Sequence, residues 1–202
     1  MITSYINLTL GTYLDIDKVL RSEADDIDKQ VSIIAILTGN TEEEILALPL
    51  TEYSALAAKT DFLKQEAPLV TAPKRVIVGG RAYIPTEDFT KITTAQYVDF
   101  QTFSKEGVER LPELLAVLLI PEGHKYGQDY DFAGVVADVK TLPLPVALAL
   151  VGFFFASWSA SIAASLSSLE GMKKKVSKER REQLEKIISQ TREMLAGAGL
   201  QT

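Results

Sequence analysis

Residues 146–169, VALALVGFFFASWSASIAASLSSL, sit in a window without a single charge from 141 to 169, and Met172-Lys173-Lys174-Lys175 follows at once. About 20 apolar residues cross a bilayer, and a lysine run is the usual cytoplasmic flank of an anchor. The stretch is therefore either a membrane span or a long core helix, and the fold depends on which. Val151, Phe155, Trp158, Ile162, Leu166 and Leu169 recur at steps of three and four, while Ser157, Ser159, Ser161, Ser165, Ser167 and Ser168 fall largely between them. That spacing keeps the apolar residues on one helix face. Lipid surrounds a lone span on every side, so a serine-rich face gains nothing there. Only residues 146–155 are apolar all round, which is too short to span. The balance favours a soluble core or interface helix that starts near Pro145 and runs toward Leu195, against a single-span membrane protein anchored by residues 145–169.

Downstream, Lys173, Lys174, Lys175, Lys178, Arg180 and Arg181 are basic enough to meet phosphates or anionic headgroups. Glu179, Glu182, Glu185 and Glu193 interleave with them, and Lys178–Glu182 and Glu182–Lys186 pair at i, i+4. A solvated helix face fits that interleaving better. Leu184, Ile187, Ile188, Thr191 and Leu195 form an opposite, mostly apolar stripe suited to a neighbouring helix.

Upstream, helix signals dominate. Residues 5–10 alternate apolar and polar side chains before Gly11, the pattern of a short strand or of the lead-in to a helix over 15–20. Acidic residues 23–28 precede Val31, Ile34 and Leu37 at helical spacing, with Gly39 as the stop. Thr41-Glu42-Glu43-Glu44 is a capping box. Pro49 interrupts the helix begun there, and Thr51-Glu52 opens another carrying Tyr53, Leu56, Phe62 and Leu63.

Composition shifts at residues 67–74, a candidate subdivision between a helical cluster over 15–66 and a hairpin plus helices over 75–196. Residues 75–84 are two β-prone runs around Gly79-Gly80, a two-residue hairpin whose central positions both need positive φ. The pair lacks the G-x-G-x-x-G or Gly-Lys-Ser/Thr context of a phosphate loop. Thr93 and Gln96 form a second capping box flanked by Ile92 and Tyr97, and Tyr97, Phe100 and Phe103 continue one face, usually core and occasionally a partner groove. Pro112 suits the first turn of a largely buried helix through Leu114, Leu115, Leu118 and Leu119 to Pro121. Asp131 is placed to cap a helix through Val135, Val136 and Val139.

Composition and missing motifs narrow the function. A 47% hydrophobic, 24% charged chain should fold, and a net charge of −6 argues against a nucleic-acid surface. No cysteine and one histidine rule out disulfides, thiolate metal sites and any two-imidazole site. Residues 129–134 begin like a calcium loop, but Lys140 occupies the position of the bidentate glutamate. His124 has no triad context, and Asp25, Asp26 and Asp28 serve a helix start. Neither a metal nor a cofactor is expected, and no feature points to an enzyme. The start of the chain lacks the basic, apolar pattern of a secretory signal, so a cytoplasmic location is expected.

Two stretches resemble the tail assembly chaperones of long-tailed bacteriophages. Residues 33–53, IIAILTGNTEEEILALPLTEY, are similar to the helix, Leu-Thr/Ser-Gly, Thr/Ser-Glu-Glu-Glu, helix segment of those proteins. The hairpin over 76–84 joined to ITTAQYVDF, residues 92–100, is similar to their short hairpin followed by a Thr-capped helix with an aromatic residue. The resemblance covers less than a third of the chain, and the long apolar C-terminal helix departs from the smaller members. It implies a cytoplasmic protein that binds the helical tape-measure protein during tail assembly and is absent from the finished particle; the departure leaves a structural virion component as an alternative.

The expected molecule is mainly α, a single multi-helix domain over 1–202 with one small β-hairpin and a long C-terminal helix, working by protein–protein contact, with a homo-oligomer compatible with it. Its partner surface is placed on Phe153, Phe154, Trp158, Leu184 and Ile188, because aromatic clusters carry binding energy where they are not core. Packing of those rings inside the monomer is the competing expectation.

Overall fold

The computed structural model describes residues 1–128 and 130–173, with Glu185 and Ser189. The fold is mainly helical, with one small antiparallel sheet and a long C-terminal helix. Its elements are α1 (Leu10–Arg21), α2 (Asp26–Thr38), α3 (Glu42–Leu46), α4 (Leu50–Ala58), β1 (Val76–Val78), β2 (Arg81–Pro85), α5 (Thr94–Phe103), α6 (Leu111–Leu118), β3 (Leu119–Pro121), α7 (Phe132–Lys140) and α8 (Leu144–Lys173). The chain forms two compact units, one of Met1–Pro85 and Thr93–Val151, the other of Thr86–Ile92 and Gly152–Thr202. Residues 67–74, where the composition shifts, lie inside the first unit.

Local chemistry explains the helix ends of the first unit. The Asp25 carboxylate accepts from the Ile27 and Asp28 N–H groups at 2.9 and 2.8 Å, and α2 stops at Gly39 with φ 76°. Thr41 Oγ1 accepts from the Glu44 N–H at 3.2 Å while the Glu44 carboxylate accepts from the Thr41 N–H at 2.8 Å, the expected capping box. Val31, Ile34, Ala35 and Ile45 then bury against Leu48, Tyr53, Leu56 and Ala57.

The first residues settle the strand-or-helix alternative in favour of helix. Tyr5–Asn7 is a 3₁₀ turn, Thr9 makes one isolated bridge with Pro143, and α1 begins at Leu10 because Thr9 Oγ1 accepts from the Thr12 N–H at 3.2 Å. The bridge is flanked by Leu10 N–H donating to the Leu142 carbonyl at 2.9 Å and Leu144 N–H to the Leu8 carbonyl at 2.7 Å.

At the centre of the unit lies α6, whose residues from Leu114 to Leu118 are all buried. It packs on α5 and α7 and runs directly into β3. The sequence predicts helix to Pro121; instead it ends at Leu118, and the sheet gains a third strand in the order β1-β2-β3. Two causes act together. Pro121 disfavours helical geometry at Ile120, and the open edge of β2 offers Ile84 as a partner for Ile120. Alternation along the hairpin gives the sheet one covered face: Val76 and Tyr83 are buried, while Ile77 and Ile84 are 68% and 40% exposed. Gly79 and Gly80 turn the hairpin at φ 59° and 75°, the positive values expected.

In the second unit, Asp88 starts a short turn by accepting from the Thr90 N–H and hydroxyl at 2.9 and 2.6 Å and from Lys91 Nζ at 3.0 Å. The Thr90 hydroxyl and Lys91 together hold its carboxyl well below the usual range, at about 2. Among the described side chains of α8, Pro145 is buried in the first turn, and Leu144, Ala147, Leu150, Phe154 and Trp158 form one buried stripe at steps of three and four, with Leu148, Gly152, Ala156 and Ala160 exposed. Val151 and Phe155 are half-buried flanks of that stripe, which sits one position from the expected one at Phe154. Residues 146–155, apolar all round in sequence, are thus one-sided in burial. Side chains at Ile162, Leu166 and Leu169, and the expected continuation toward Leu195, lie outside the described residues. Among the described residues one helical window, Leu144–Ser161, is long and apolar enough to cross a membrane, with mean hydropathy 1.7 and 33% of it buried.

Candidate functional site

Two tyrosine–aspartate pairs and one apolar groove concentrate the chemistry of the first unit. The first pair joins sheet to helix: Tyr83 of β2 donates its hydroxyl proton to Asp138 Oδ2 of α7 at 2.5 Å, and Arg81 Nε donates to the same oxygen at 2.8 Å. A Cβ at Gly79 would run into that carboxylate, so only glycine allows the hairpin turn to close over it. Arg81 Nη2 also reaches the Gly134 carbonyl at 3.2 Å. Burial, and then the Asp138 carboxylate, push the Tyr83 hydroxyl far above its ordinary range, with Arg81 opposing. The Tyr83 ring is fully buried, and the arrangement is a closed staple between elements far apart in sequence.

The second pair lines an open cleft of about 470 Å³ formed by Ala95, Asp99 and Phe103 on one face of α5 and by Tyr126, Gly127, Tyr130 and Phe132 from the following loop and the start of α7. Tyr126 donates to Asp99 Oδ2 at 2.5 Å. Phe103 stacks on Phe132 with centroids 6.5 Å apart, and Tyr126 meets Phe132 edge-on at 6.4 Å. The loop turns tightly, with Gln128 N–H donating to the Lys125 carbonyl at 3.0 Å and Gly127 at φ 74°, a value glycine adopts without steric cost. Burial raises the Tyr126 and Tyr130 hydroxyls above their usual range, and Asp99 adds to the effect on Tyr126. Among the described residues Asp99 makes no ion pair, unlike Asp17, Asp61, Asp88 and Asp138.

The groove, of about 280 Å³, has Leu20, Ile33 and Leu63 as its apolar surface and Asp26, Lys29, Gln30, Thr60 and Lys64 around them. Tyr5 supports the segment that carries Leu63: its ring meets Phe62 edge-on at 5.3 Å, and its hydroxyl lies 3.1 and 3.0 Å from the Leu63 and Gln65 carbonyls. At Leu20 the side chain is 53% exposed.

Against these sites stand the residues singled out in the sequence. Phe154 and Trp158 are covered, at 1% and 5% exposure, and Phe153 is half-buried with its ring 5.6 Å from Phe154. Leu184 and Ile188 lie outside the described residues. The aromatic face expected on α5 divides: Phe100 is core, Tyr97 is 41% exposed, and Phe103 lines the cleft. Gln96, placed in the second capping box, sends Nε2 to the Val117 carbonyl at 2.8 Å, while Thr93 Oγ1 accepts from the Gln96 N–H at 3.1 Å. Asp131 occupies the N-cap of α7 without a side-chain capping bond. His124 Nδ1 lies 3.2 Å from the Glu122 carbonyl oxygen. Among the described residues no three His, Cys, Asp or Glu side chains are grouped to hold a metal ion.

The cleft escaped the sequence reading although its signal was there. Tyr126, Tyr130 and Phe132 fall within seven positions around Gly127, and Ala95, Asp99 and Phe103 recur at steps of four. No protein family matches the chain, and neither a curated protein nor a solved structure matches it.

Proposed function

We propose that this chain is a non-enzymatic phage assembly protein that holds an apolar helical segment of a partner, such as a tape-measure protein, in the host cytoplasm before ordered assembly. One observation carries the reading. Residues 33–53, the stretch with the chaperone-like pattern, contain the Gly39 stop, the Thr41–Glu44 capping box and Ile33, which lines the open groove beside Leu20 and Leu63. A groove with an apolar surface and a charged surround suits an amphipathic helix that seats one or two apolar side chains and leaves its polar face in water. Covering such side chains keeps a client from aggregating before its own partners arrive.

Co-expression with the neighbouring reading frames, followed by affinity purification on this chain, tests the reading. A long helical partner should be retained by the native chain and lost with Leu20→Asp, a half-exposed position where a charge spares the core. Retention of no such partner, or equal retention by the variant, would count against it. A second reading, a single-span protein, draws on the 1.7 mean hydropathy of Leu144–Ser161. Recovery of the chain only in the membrane pellet of a detergent-free lysate would replace the first reading with this one.

A further inference from the structure

We infer that the cleft between α5 and the 126–132 segment binds an arginine side chain presented by a partner polypeptide, with Asp99 and the surrounding aromatic rings as its recognition elements. The rings of Tyr126, Tyr130 and Phe132 line the space together with Phe103, which is itself stacked on Phe132, and among the described lining residues Asp99 is the one carboxylate. Aromatic faces attract cations through the ring quadrupole, and a planar guanidinium also stacks. The molecule holds an example of this contact: the Arg110 guanidinium carbon lies 5.2 Å from the centre of the Phe103 ring. Arg110 is itself balanced by Glu106 and Glu113, each at 2.7 Å, so its charge is spent locally, whereas among the described residues the side-chain partner of Asp99 is the neutral Tyr126 hydroxyl.

The shape selects a side chain on a polypeptide over a free small molecule. Sites for free ligands enclose most of the ligand surface, but this cleft is open, with Ala95 and Gly127 exposed among its lining residues. An arginine entering from outside keeps its own backbone in water. This inference stands on the cleft alone and not on the groove at Leu20, so the two can fail separately.

The test is titration of the full chain with N-acetyl-Gly-Arg-Gly-amide and its citrulline counterpart, a near-isostere without charge, followed by backbone amide NMR. The arginine peptide should shift the amides of residues 95–103 and 126–132 and bind at least tenfold more tightly than the citrulline peptide, with affinity falling as salt rises. Asp99→Asn should weaken binding about tenfold. Tyr126→Phe keeps the ring and frees Asp99 Oδ2, so it should bind at least as tightly as the native chain. The proposal is overturned if citrulline and arginine bind alike, if Asp99→Asn binds as the native chain does, or if no shift falls on these two segments. Loss of co-purified helical partner with these results intact would remove the proposed function and leave this site standing.

Discussion

Tyr83–Asp138 and Tyr126–Asp99 are the same chemical pair in two settings. Each is a phenol donating to one carboxylate oxygen at 2.5 Å, and in each the tyrosine is driven upward first by burial and then by its aspartate. Around Asp138 the remaining capacity is taken up by Arg81 and by the close approach of Gly79. Asp99 makes no ion pair among the described residues, and the space beyond it is open. The difference teaches that the same bond is a closed staple where an arginine and a tight turn complete the carboxylate's surroundings, and leaves the carboxylate open to a further partner where they do not.

Substitutions break that comparison in graded steps. The largest effect is expected from Gly79→Ala, which meets both a φ of 59° and the Asp138 carboxylate; denaturant unfolding should show a loss of about 3 kcal/mol. Asp138→Ala leaves the buried Tyr83 hydroxyl without its acceptor and should cost about 2 kcal/mol, whereas Asp99→Ala, beside an open cleft where water can replace it, should cost about 0.5 kcal/mol. Tyr83→Phe and Tyr126→Phe should separate in the same order but less widely, by about 1 kcal/mol in the same measurement.

Alkaline pH sharpens the contrast further. Both hydroxyls hold their protons in the folded chain beyond the unfolded value of about 10, so the folded state binds more protons above that pH. Their contribution to stability is complete below about pH 10 and is lost progressively as pH rises toward the folded values. Stability followed by circular dichroism should decline from that pH upward, and each Tyr→Phe variant should decline less steeply than the native chain. An unchanged slope in both variants would mean that neither phenol is shielded as described.

Features with short-range causes were legible in the sequence. The helix start among the acidic residues 23–28, the Thr41 cap, the Gly39 stop and the Gly79-Gly80 turn each depend on near neighbours in sequence, and each forms where the pattern puts it, Asp25 proving to be the capping residue of the acidic group. β3 was not legible, because Leu119, Ile120 and Pro121 read as the end of an apolar helix until a strand edge more than thirty residues upstream offers hydrogen bonds. The two aspartates were hidden for the same reason: Asp138 meets Tyr83 across 55 positions and Asp99 meets Tyr126 across 27. On α5 a stride of three joined Tyr97, Phe100 and Phe103, whereas the face that lines the cleft follows a stride of four. Helical periodicity permits both, and only packing chooses.

The bridge between Thr9 and Pro143 bears on time as well as on shape. Leu8, Leu10 and Ile16 are buried in the finished molecule, yet the backbone partners of Leu8 and Leu10 are Leu144 and Leu142. At about 5–20 residues per second of synthesis, on the order of ten seconds separate the two sides of that bridge. During this interval α1 can already pack on α2, which follows it within a few residues, but the backbone clamp through Leu142 and Leu144 forms only once residue 144 has emerged. Closure over so long a loop also makes this contact a slow, late event in refolding.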